Sequence, residues 1–213
     1  MSLYIAFEGG EGAGKSTQAR LLARALTEQN DKPGVPPPVV TKEPGATPLG
    51  VQLRQLLLDV GQAPVCARSE TLMMAADRAQ LMDEVVRPAL SSGRHVISDR
   101  TAFSSLAYQG GGRALGVEQV RAVNDWALDG LWPDVVLLLD CPPDAAADRR
   151  SRALDRLESE ADSFHDRIRQ TFLELADDDP GRWVIIDASR SVAEVSVAVW
   201  TAVEAHLERE ARS

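Results

Sequence analysis

A glycine-rich segment near the amino terminus constrains the fold of this chain more than any other feature. The segment, Gly9-Gly10-Glu11-Gly12-Ala13-Gly14-Lys15-Ser16-Thr17, directly follows the apolar run at residues 3–7. It matches the phosphate-loop pattern G-x-x-x-x-G-K-[ST] without a mismatch. Glycines let successive backbone amides surround a phosphate, and the helix that follows adds the positive end of its dipole. The pattern therefore predicts a nucleoside triphosphate site, in which Lys15 reaches the β- and γ-phosphates and Ser16 ligates Mg²⁺.

Strand and helix patterns alternate along the rest of the chain. Buried apolar runs predict strands at residues 3–7, 39–41, 94–100, 135–140 and 183–187. Helical periodicity predicts helices at 18–29, 69–90, 117–128, 156–176 and 192–209, with two more opening at Pro48 (capped by Thr47) and at Pro142-Pro143, and a glycine turn at 110–112. This alternation predicts a three-layer α/β fold, a five-stranded parallel sheet with helices on both faces, in a single domain over residues 1–213. Ligands of such folds lie beyond the carboxyl ends of the strands.

The net charge, the cysteines and the apolar runs of the chain exclude several classes of binding partner. A net charge of −9 argues against a broad surface for nucleic acid or anionic membrane. Cys66 and Cys141 have no disulfide or metal-ligand spacing, which is typical of small buried side chains in a reducing compartment. The apolar run at 3–7 is too short for a membrane span or a signal peptide. We therefore expect a cytoplasmic protein that binds neither nucleic acid nor membrane.

A charged pair closes the third predicted strand. Asp99 can hold Mg²⁺ directly or through water, and Arg100 would point towards the phosphates. The alternative is a structural ion pair at the end of the strand. Asp140 ends the fourth strand in the same way, but the prolines that follow it make a turn or helix-start role equally plausible.

A cluster of arginines predicts a lid at about residues 149–160. Arg149, Arg152 and Arg156 would share one face of a helix, with Arg150 beside them. A triphosphate between these side chains would offset their mutual repulsion, and closure would exclude water from the reaction. The alternative is a solvated helix face stabilised by Asp155 and Glu158.

Together with the lid, several collinear segments resemble the bacterial thymidylate kinases over nearly the whole chain. The matching segments are Phe7–Thr17, Thr41–Gly45, Asp99-Arg100, Ser104–Gly110 and Asp155–Glu158. Glu11 inside the phosphate loop and arginines in the lid are similar to the bacterial subtype. The resemblance implies a P-loop kinase fold and ATP:dTMP phosphoryl transfer that yields ADP and dTDP. It also implies dependence on Mg²⁺ and a homodimer.

The resemblance also implies roles for individual residues. Arg78 would hydrogen-bond the thymine, Arg100 and Arg54 would reach the acceptor phosphate, and Tyr108 would crowd the 2′ position of the sugar. Glu11 would lie near the sugar 3′-hydroxyl and the metal, so that the implied metal set is Ser16, Asp99 and Glu11. The other implied substrate residues are Lys42, Pro44, Met74, Ser105 and Gln109, and the implied catalytic residues are Lys15, Arg100, Arg149, Arg152 and Arg156.

Four positions depart from the family pattern. Lys42 stands where arginine is common, Ala46 where a second glycine is frequent, Met74 at the usual base-stacking phenylalanine and Thr101 at an aromatic position. Met74 can contact a pyrimidine or pack in the core, and for Met73 core packing is favoured. These departures leave open a kinase for another nucleoside monophosphate. A P-loop switch protein is a further alternative, although the sequence has no guanine-reading N-K-x-D motif.

Overall fold

Five parallel strands form one sheet in the order β2-β3-β1-β4-β5, which confirms the predicted fold class. The structure, a computed structural model, describes residues 2–29, 36–58, 64–142, 156–157 and 159–210. The strands are β1 Tyr4–Glu8, β2 Val39–Lys42, β3 Val96–Asp99, β4 Val135–Asp140 and β5 Trp183–Asp187. The helices are α1 Lys15–Gln29, α2 Pro48–Leu58, α3 Ala67–Leu81, α4 Arg87–Ser91, α5 Ala102–Ser105, α6 Val117–Leu128, α7 Asp162–Asp178 and α8 Val192–Glu210. None of the described helices is long and apolar enough to cross a bilayer.

Side chains of the central strands alternate between two apolar layers. Ile5 and Phe7 of β1 pack with Leu137 of β4 in the layer that contains residues of α1 and α8. Ala6 and Leu138 point to the opposite layer, which contains residues of α3, α6 and α7. Because both faces are covered, the strands are continuous apolar runs rather than alternating ones. This is the signal by which the sequence predicted them.

Acidic residues end four of the strands at one edge of the sheet. Phe7 pairs in register with Asp99, and Asp140 pairs with Asp187. Since all the strands are parallel, their carboxyl ends meet at the same edge, where Glu8 also lies. The sheet therefore brings together the charged residues that the sequence placed at strand ends.

The glycine run at 110–112 is not the turn that the sequence predicted. It ends a π-helical segment, Leu106–Gly112, that continues directly from α5, and the Arg113 amide donates to the Tyr108 carbonyl at 2.8 Å. A side chain at Gly111 would collide with Thr171 of α7, and one at Gly112 would collide with Phe164. The glycines serve close packing between two helices, which a sequence pattern does not distinguish from a turn.

Two predicted helices also differ from the structure. The helix predicted from Arg156 begins only at Asp162, because the backbone of Ala161 is extended and cannot continue a helix. Arg156 instead donates from its side chain to the Leu57 carbonyl of α2. The helix predicted at 69–90 consists of α3, a π-helical segment at Met82–Val86, and α4. The helix predicted at Pro142-Pro143 and most of the lid at 149–160 lie outside the described residues.

Candidate active site

The phosphate loop connects β1 to α1 in the predicted way. The amides of Thr17 and Gln18 donate to the Gly14 carbonyl at 3.1 and 3.0 Å and start the helix. Gly9 has a φ of +133°, and a Cβ there would meet the Leu139 carbonyl oxygen of β4. Glycine is therefore required at this position on steric and conformational grounds. The loop can pass close to the central strands and leave its amides pointing beyond the sheet edge.

Lys15 is buried at the centre of the loop. Its ammonium donates to the carbonyl oxygens of Gly9 at 3.1 Å and Gly10 at 2.7 Å. Burial lowers the pKa of Lys15 and the nearby Arg100 lowers it further, whereas the carboxylates of Glu11 and Asp99 oppose the shift. The lysine is thus a cation held in a desolvated position, where its attraction for a phosphate is strongest.

Oxygen donors for a hard cation meet beside the loop. The Ser16 hydroxyl donates a short hydrogen bond to Oδ2 of Asp99, which brings the first turn of α1 to the end of β3. Glu11, the third predicted metal residue, pairs instead with Arg100. A hydroxyl next to a carboxylate is the donor set that Mg²⁺ prefers when nucleotide phosphates and water complete its shell. The residues present therefore fit a magnesium ion.

Arg100 links the phosphate loop to the opposite side of the site. Its backbone has a φ of +73°, an uncommon conformation for a residue with a side chain. The guanidinium donates to the Gly9 carbonyl at 3.3 Å, to the Ser104 hydroxyl at 3.1 Å and to the Tyr108 hydroxyl at 3.0 Å, and it pairs with Glu11. Arg100 therefore lies between the loop and the residues predicted to bind the acceptor.

Arg78 of α3 is buried and is held by three side chains. Its Nε and Nη2 bond Oε2 of Glu43 at 2.7 and 2.6 Å, and its Nη1 donates to the hydroxyl of Ser105 at 3.3 Å and to Oδ1 of Asn124. Asn124 in turn donates to the Val120 carbonyl. Each terminal nitrogen carries two hydrogens, so among the described residues the second hydrogen of Nη2 has no acceptor. One directed donor is left for a ligand.

Glu43 is the buried carboxyl group that pairs with this arginine. Burial raises the pKa of Glu43 to about 7, although the charge of Arg78 counteracts the shift. Its second oxygen, Oε1, is buried with no hydrogen-bond partner among the described residues. The pair is therefore desolvated, and its geometry depends on Ser105 and Asn124 as well.

A cavity of about 740 Å³ joins these features. It has the size of a ligand site and runs from the phosphate loop to α3. The predicted residues that line it are Glu11, Gly12, Ala13, Gly14, Lys15, Ser16, Thr17, Lys42, Pro44, Arg54, Met74, Arg78, Asp99, Arg100, Ser105, Tyr108 and Gln109. Gly9 and Gly10 lie in the loop behind it. Almost all of the predicted site is thus brought together in one space.

Of the predicted lid arginines, the structure describes only Arg156. Arg149 and Arg152 lie outside the described residues. Arg156 donates to the Leu57 carbonyl at 2.7 Å and to Oε2 of Glu70 at 2.7 Å, and it does not line the cavity. The catalytic role of all three stays a prediction. Asp140 forms a bidentate pair with Arg169 at 2.7 Å and does not line the cavity, and the sequence predicted no such partner for it.

Sequence reasoning missed three contributions to the site. Asn124 lies in the buried stripe of α6 with Val120 and Ala127, and a polar residue in such a stripe is a usable signal. Glu70 is likewise a polar residue among the buried residues of α3. The far end of the cavity is lined by Arg190 to Val192, directly after β5, where the rule on strand ends could have placed them.

Comparisons with known proteins agree with this geometry. The family model described as thymidylate kinase matches residues 7–199. The chain is 45% identical to a thymidylate kinase of Cutibacterium acnes over 207 residues, which is 97% of this chain and 98% of that protein. It is 46% identical to a thymidylate kinase of Bifidobacterium longum over 208 residues, 96% and 97% of the two chains.

A solved structure extends the likeness to three dimensions. The crystal structure of thymidylate kinase from Ehrlichia chaffeensis superposes with a TM-score of 0.75 at 29% identity, covering 95% of this chain and 98% of that one. The family match extends over both the phosphate loop and the Arg78 region. The chain therefore belongs to the thymidylate kinase family, and it is a kinase that phosphorylates dTMP to dTDP.

Proposed function

We propose that ATP and dTMP bind together in the 740 Å³ cavity and react by direct in-line transfer of the γ-phosphoryl group. The observation that carries this proposal is that Lys15, Arg100 and Arg78 line one continuous space. The loop end would hold the donor, the Arg78 end would hold the acceptor base, and the two phosphates would meet at Arg100. Because such a reaction needs no covalent intermediate, catalysis reduces to positioning and charge stabilisation.

The donor side is assigned to the segment Gly9–Thr17. Its amides and the amino terminus of α1 would surround the β-phosphate. Lys15 would exchange its bonds to the carbonyls of Gly9 and Gly10 for bonds to phosphate oxygens. The exchange replaces neutral carbonyl acceptors with anionic phosphate oxygens, and the added attraction between opposite charges favours the nucleotide complex.

Magnesium is assigned to Ser16 and Asp99, with Glu11 near by. The contact between the Ser16 hydroxyl and the Asp99 carboxylate supports this assignment because it already places two hard oxygen ligands together. When bound, the ion would neutralise charge that develops on the phosphates. The protein residues supply the oxygen ligands and hold them in place.

The acceptor phosphate is assigned to Arg100, with Arg54 as a second candidate. Arg54 donates to the Pro44 carbonyl at 2.9 Å and lines the cavity, so it is positioned beside the turn that follows β2. Tyr108 bonds Arg100 through its hydroxyl and also lies under the guanidinium, 5.0 Å from the ring centroid. This fixed ring would leave little room for a ribose 2′-hydroxyl, which would favour deoxyribose.

The base is assigned to Met74 and Arg78. Met74 is 8% exposed and borders both the core and the cavity, so it can lie against a pyrimidine face while it packs in the core. Arg78 offers one Nη2 hydrogen, which suits a single base carbonyl. A pocket of this kind discriminates a single methyl group by only about 1–3 kcal/mol, so dTMP over dUMP should be a preference.

A panel of nucleoside monophosphates tests the assignment. ADP release would be measured with ATP, Mg²⁺ and, in turn, dTMP, dUMP, dCMP and dGMP. We expect dTMP to be the best acceptor and ATP hydrolysis without an acceptor to be slow. Arg78→Met should lower kcat/KM for dTMP, whereas Arg20→Met, an exposed residue of α1, should leave it unchanged. A different preferred acceptor, or fast hydrolysis without one, would contradict the proposal.

A homodimer is proposed from the apolar surface of α2 and α3. Leu49, Val51 and Leu56 of α2 and Leu72 of α3 are 42–60% exposed, and the two helices pack side by side. Covering this surface with a second copy would remove apolar area from water. Sedimentation of the wild type should give twice the chain mass of 23.1 kDa, and Leu72→Glu should shift it towards the monomer. A wild type that sediments as a monomer at micromolar concentration would contradict this.

The remaining proposals concern the chain as a whole. We infer that residues 1–213 act as one nucleotide kinase domain, because the described helices pack on one sheet. We also infer that the enzyme works in the cytoplasm, as expected of two cysteines outside any disulfide. Magnesium and ATP complete its requirements.

A further inference from the structure

A carboxylate buried in α3 joins three parts of the chain beside the proposed acceptor end of the cavity. Glu70 has no exposed surface, and its Oε1 accepts from Nε2 of Gln109 at 2.8 Å. The guanidinium of Arg113 bonds both of its oxygens, at 3.4 and 3.3 Å, and Arg156 donates to Oε2 at 2.7 Å. None of the assignments above gives Glu70 a role.

The partners of Glu70 fix its chemistry. A carboxylate that faces two guanidinium groups has no hydrogen to donate, so every group bonded to it must be a donor. Arg113 is itself held by Glu160 at 2.5 Å and by the Phe164 ring, 4.8 Å from its centroid. Glu70 is therefore an acceptor held in a fixed position, with its charge balanced from the far side.

This acceptor determines which end of the Gln109 amide faces the ligand. The nitrogen of the amide must turn to Glu70, because the carbonyl oxygen would meet a second acceptor there. Gln109 is 1% exposed and lines the cavity together with Ser105 and Arg78. Glu70 accepts one of the two amide hydrogens and so holds the nitrogen end of the amide. The other end, the carbonyl oxygen, is turned towards the cavity, where it can only accept a hydrogen bond.

An acceptor at this place selects among nucleobases. The ring of thymine or uracil carries one N–H donor, at N3, once N1 is attached to the sugar. Cytosine carries an unprotonated N3 at the same place, which would face the Gln109 oxygen as a second acceptor. A site built to hydrogen-bond one group strongly rejects an analogue that lacks it, because the buried polar atom is left unpaired.

We propose that Glu70 is a positioning residue that fixes the amide of Gln109 with its oxygen towards the base, and so selects bases with an N3 hydrogen. This inference rests on the acceptor site proposed above. It adds a residue that does not touch the substrate but sets the polarity of one that does.

The test compares two acceptors in one variant. In Glu70→Gln the neutral side chain no longer forces the Gln109 amide into one orientation. The ratio of kcat/KM for dTMP to that for dCMP should fall at least about ten-fold, mainly by loss of the dTMP reaction. The matched control is Arg113→Gln, which removes another partner of Glu70 and leaves its contact with Gln109 in place. This control should keep the ratio of the wild type.

A double-mutant cycle separates positioning from general damage. Gln109→Met should lower the ratio by itself, and adding Glu70→Gln to it should cause no further change. If Glu70→Gln does not fold, Glu70→Asp replaces it in the cycle, because it keeps the charge but withdraws the carboxylate from Gln109. An equal loss of both reactions, or an unchanged ratio, would overturn the inference. A wild type that does not prefer dTMP to dCMP would instead contradict the proposed acceptor site.

Discussion

Replacing Glu43 by glutamine should change how the stability of the enzyme depends on pH. Burial raises the pKa of Glu43 from 4.5 in the unfolded chain to about 7 in the folded protein. Between these values the folded state binds a proton that the unfolded state has released. The free energy of unfolding therefore contains a contribution that is complete below pH 4.5 and is lost as the pH rises through 7.

The size of this contribution follows from the shift. Each pKa unit corresponds to about 1.4 kcal/mol, so the difference between 4.5 and about 7 amounts to about 3 kcal/mol. Burial also raises the pKa values of the carboxyls of Glu8 and Asp77, so these two groups add their own loss of stability as the pH rises. Glu43→Gln removes only the contribution of Glu43, and the difference between the two proteins isolates it.

Urea unfolding at several pH values between 4.5 and 8 measures the difference. The wild type should lose about 3 kcal/mol more than Glu43→Gln across this range, whatever the stability of the variant at any one pH. Glu118→Gln is the matched control, because this carboxylate is 79% exposed on α6, and its curve should parallel that of the wild type. Parallel curves for Glu43→Gln and the wild type would mean that Arg78 keeps Glu43 charged in the fold and would refute the reasoning.

Three further substitutions test the site. Lys15→Ala should lower kcat by about 10²–10³-fold or more with an unchanged circular dichroism spectrum, because the loop loses its cation; near-normal turnover would contradict the proposed donor site. Asn124→Leu should raise KM for dTMP about ten-fold with a smaller change in kcat, since Arg78 loses an acceptor, and steady-state kinetics would detect this; an unchanged KM would exclude a positioning role. Gly9→Ala should destabilise the fold by about 2 kcal/mol or more, because a Cβ meets the Leu139 carbonyl at a positive φ; an unchanged melting temperature would contradict it.

The sheet could be predicted from the sequence because each strand is recognised from residues that are adjacent in the chain. The strands β1 and β4 are short apolar runs buried on both faces, and parallel strands place their last residues at one edge. Glu8, Asp99 and Asp187 were therefore placed at that edge without any knowledge of the fold. The phosphate loop was equally accessible, because its spacing encodes its own backbone path.

What the sequence could not provide depends on contacts between distant elements. Gly111 and Gly112 resemble a turn until α7 is known to pass beside them. The contact of Arg156 with Glu70, 86 positions earlier, could not be predicted from the spacing of the arginines. The contact of Asn124 with Arg78 could not be predicted, because it forms only when α6 packs on α3. Spacing along the chain contains no information about such partners.

The π-helical segment Leu106–Gly112 makes the length of this part of the chain as important as its composition. It carries Tyr108 and Gln109, two residues that line the cavity and are proposed to contact the acceptor. A π-turn contains one residue more than an α-turn, and each residue of a helix rotates the next by about 100°. Deletion of a single residue before Tyr108 would turn both side chains away from the cavity. The other residues that line the cavity would be unchanged in sequence. For this enzyme, a one-codon deletion there should be more damaging than most substitutions.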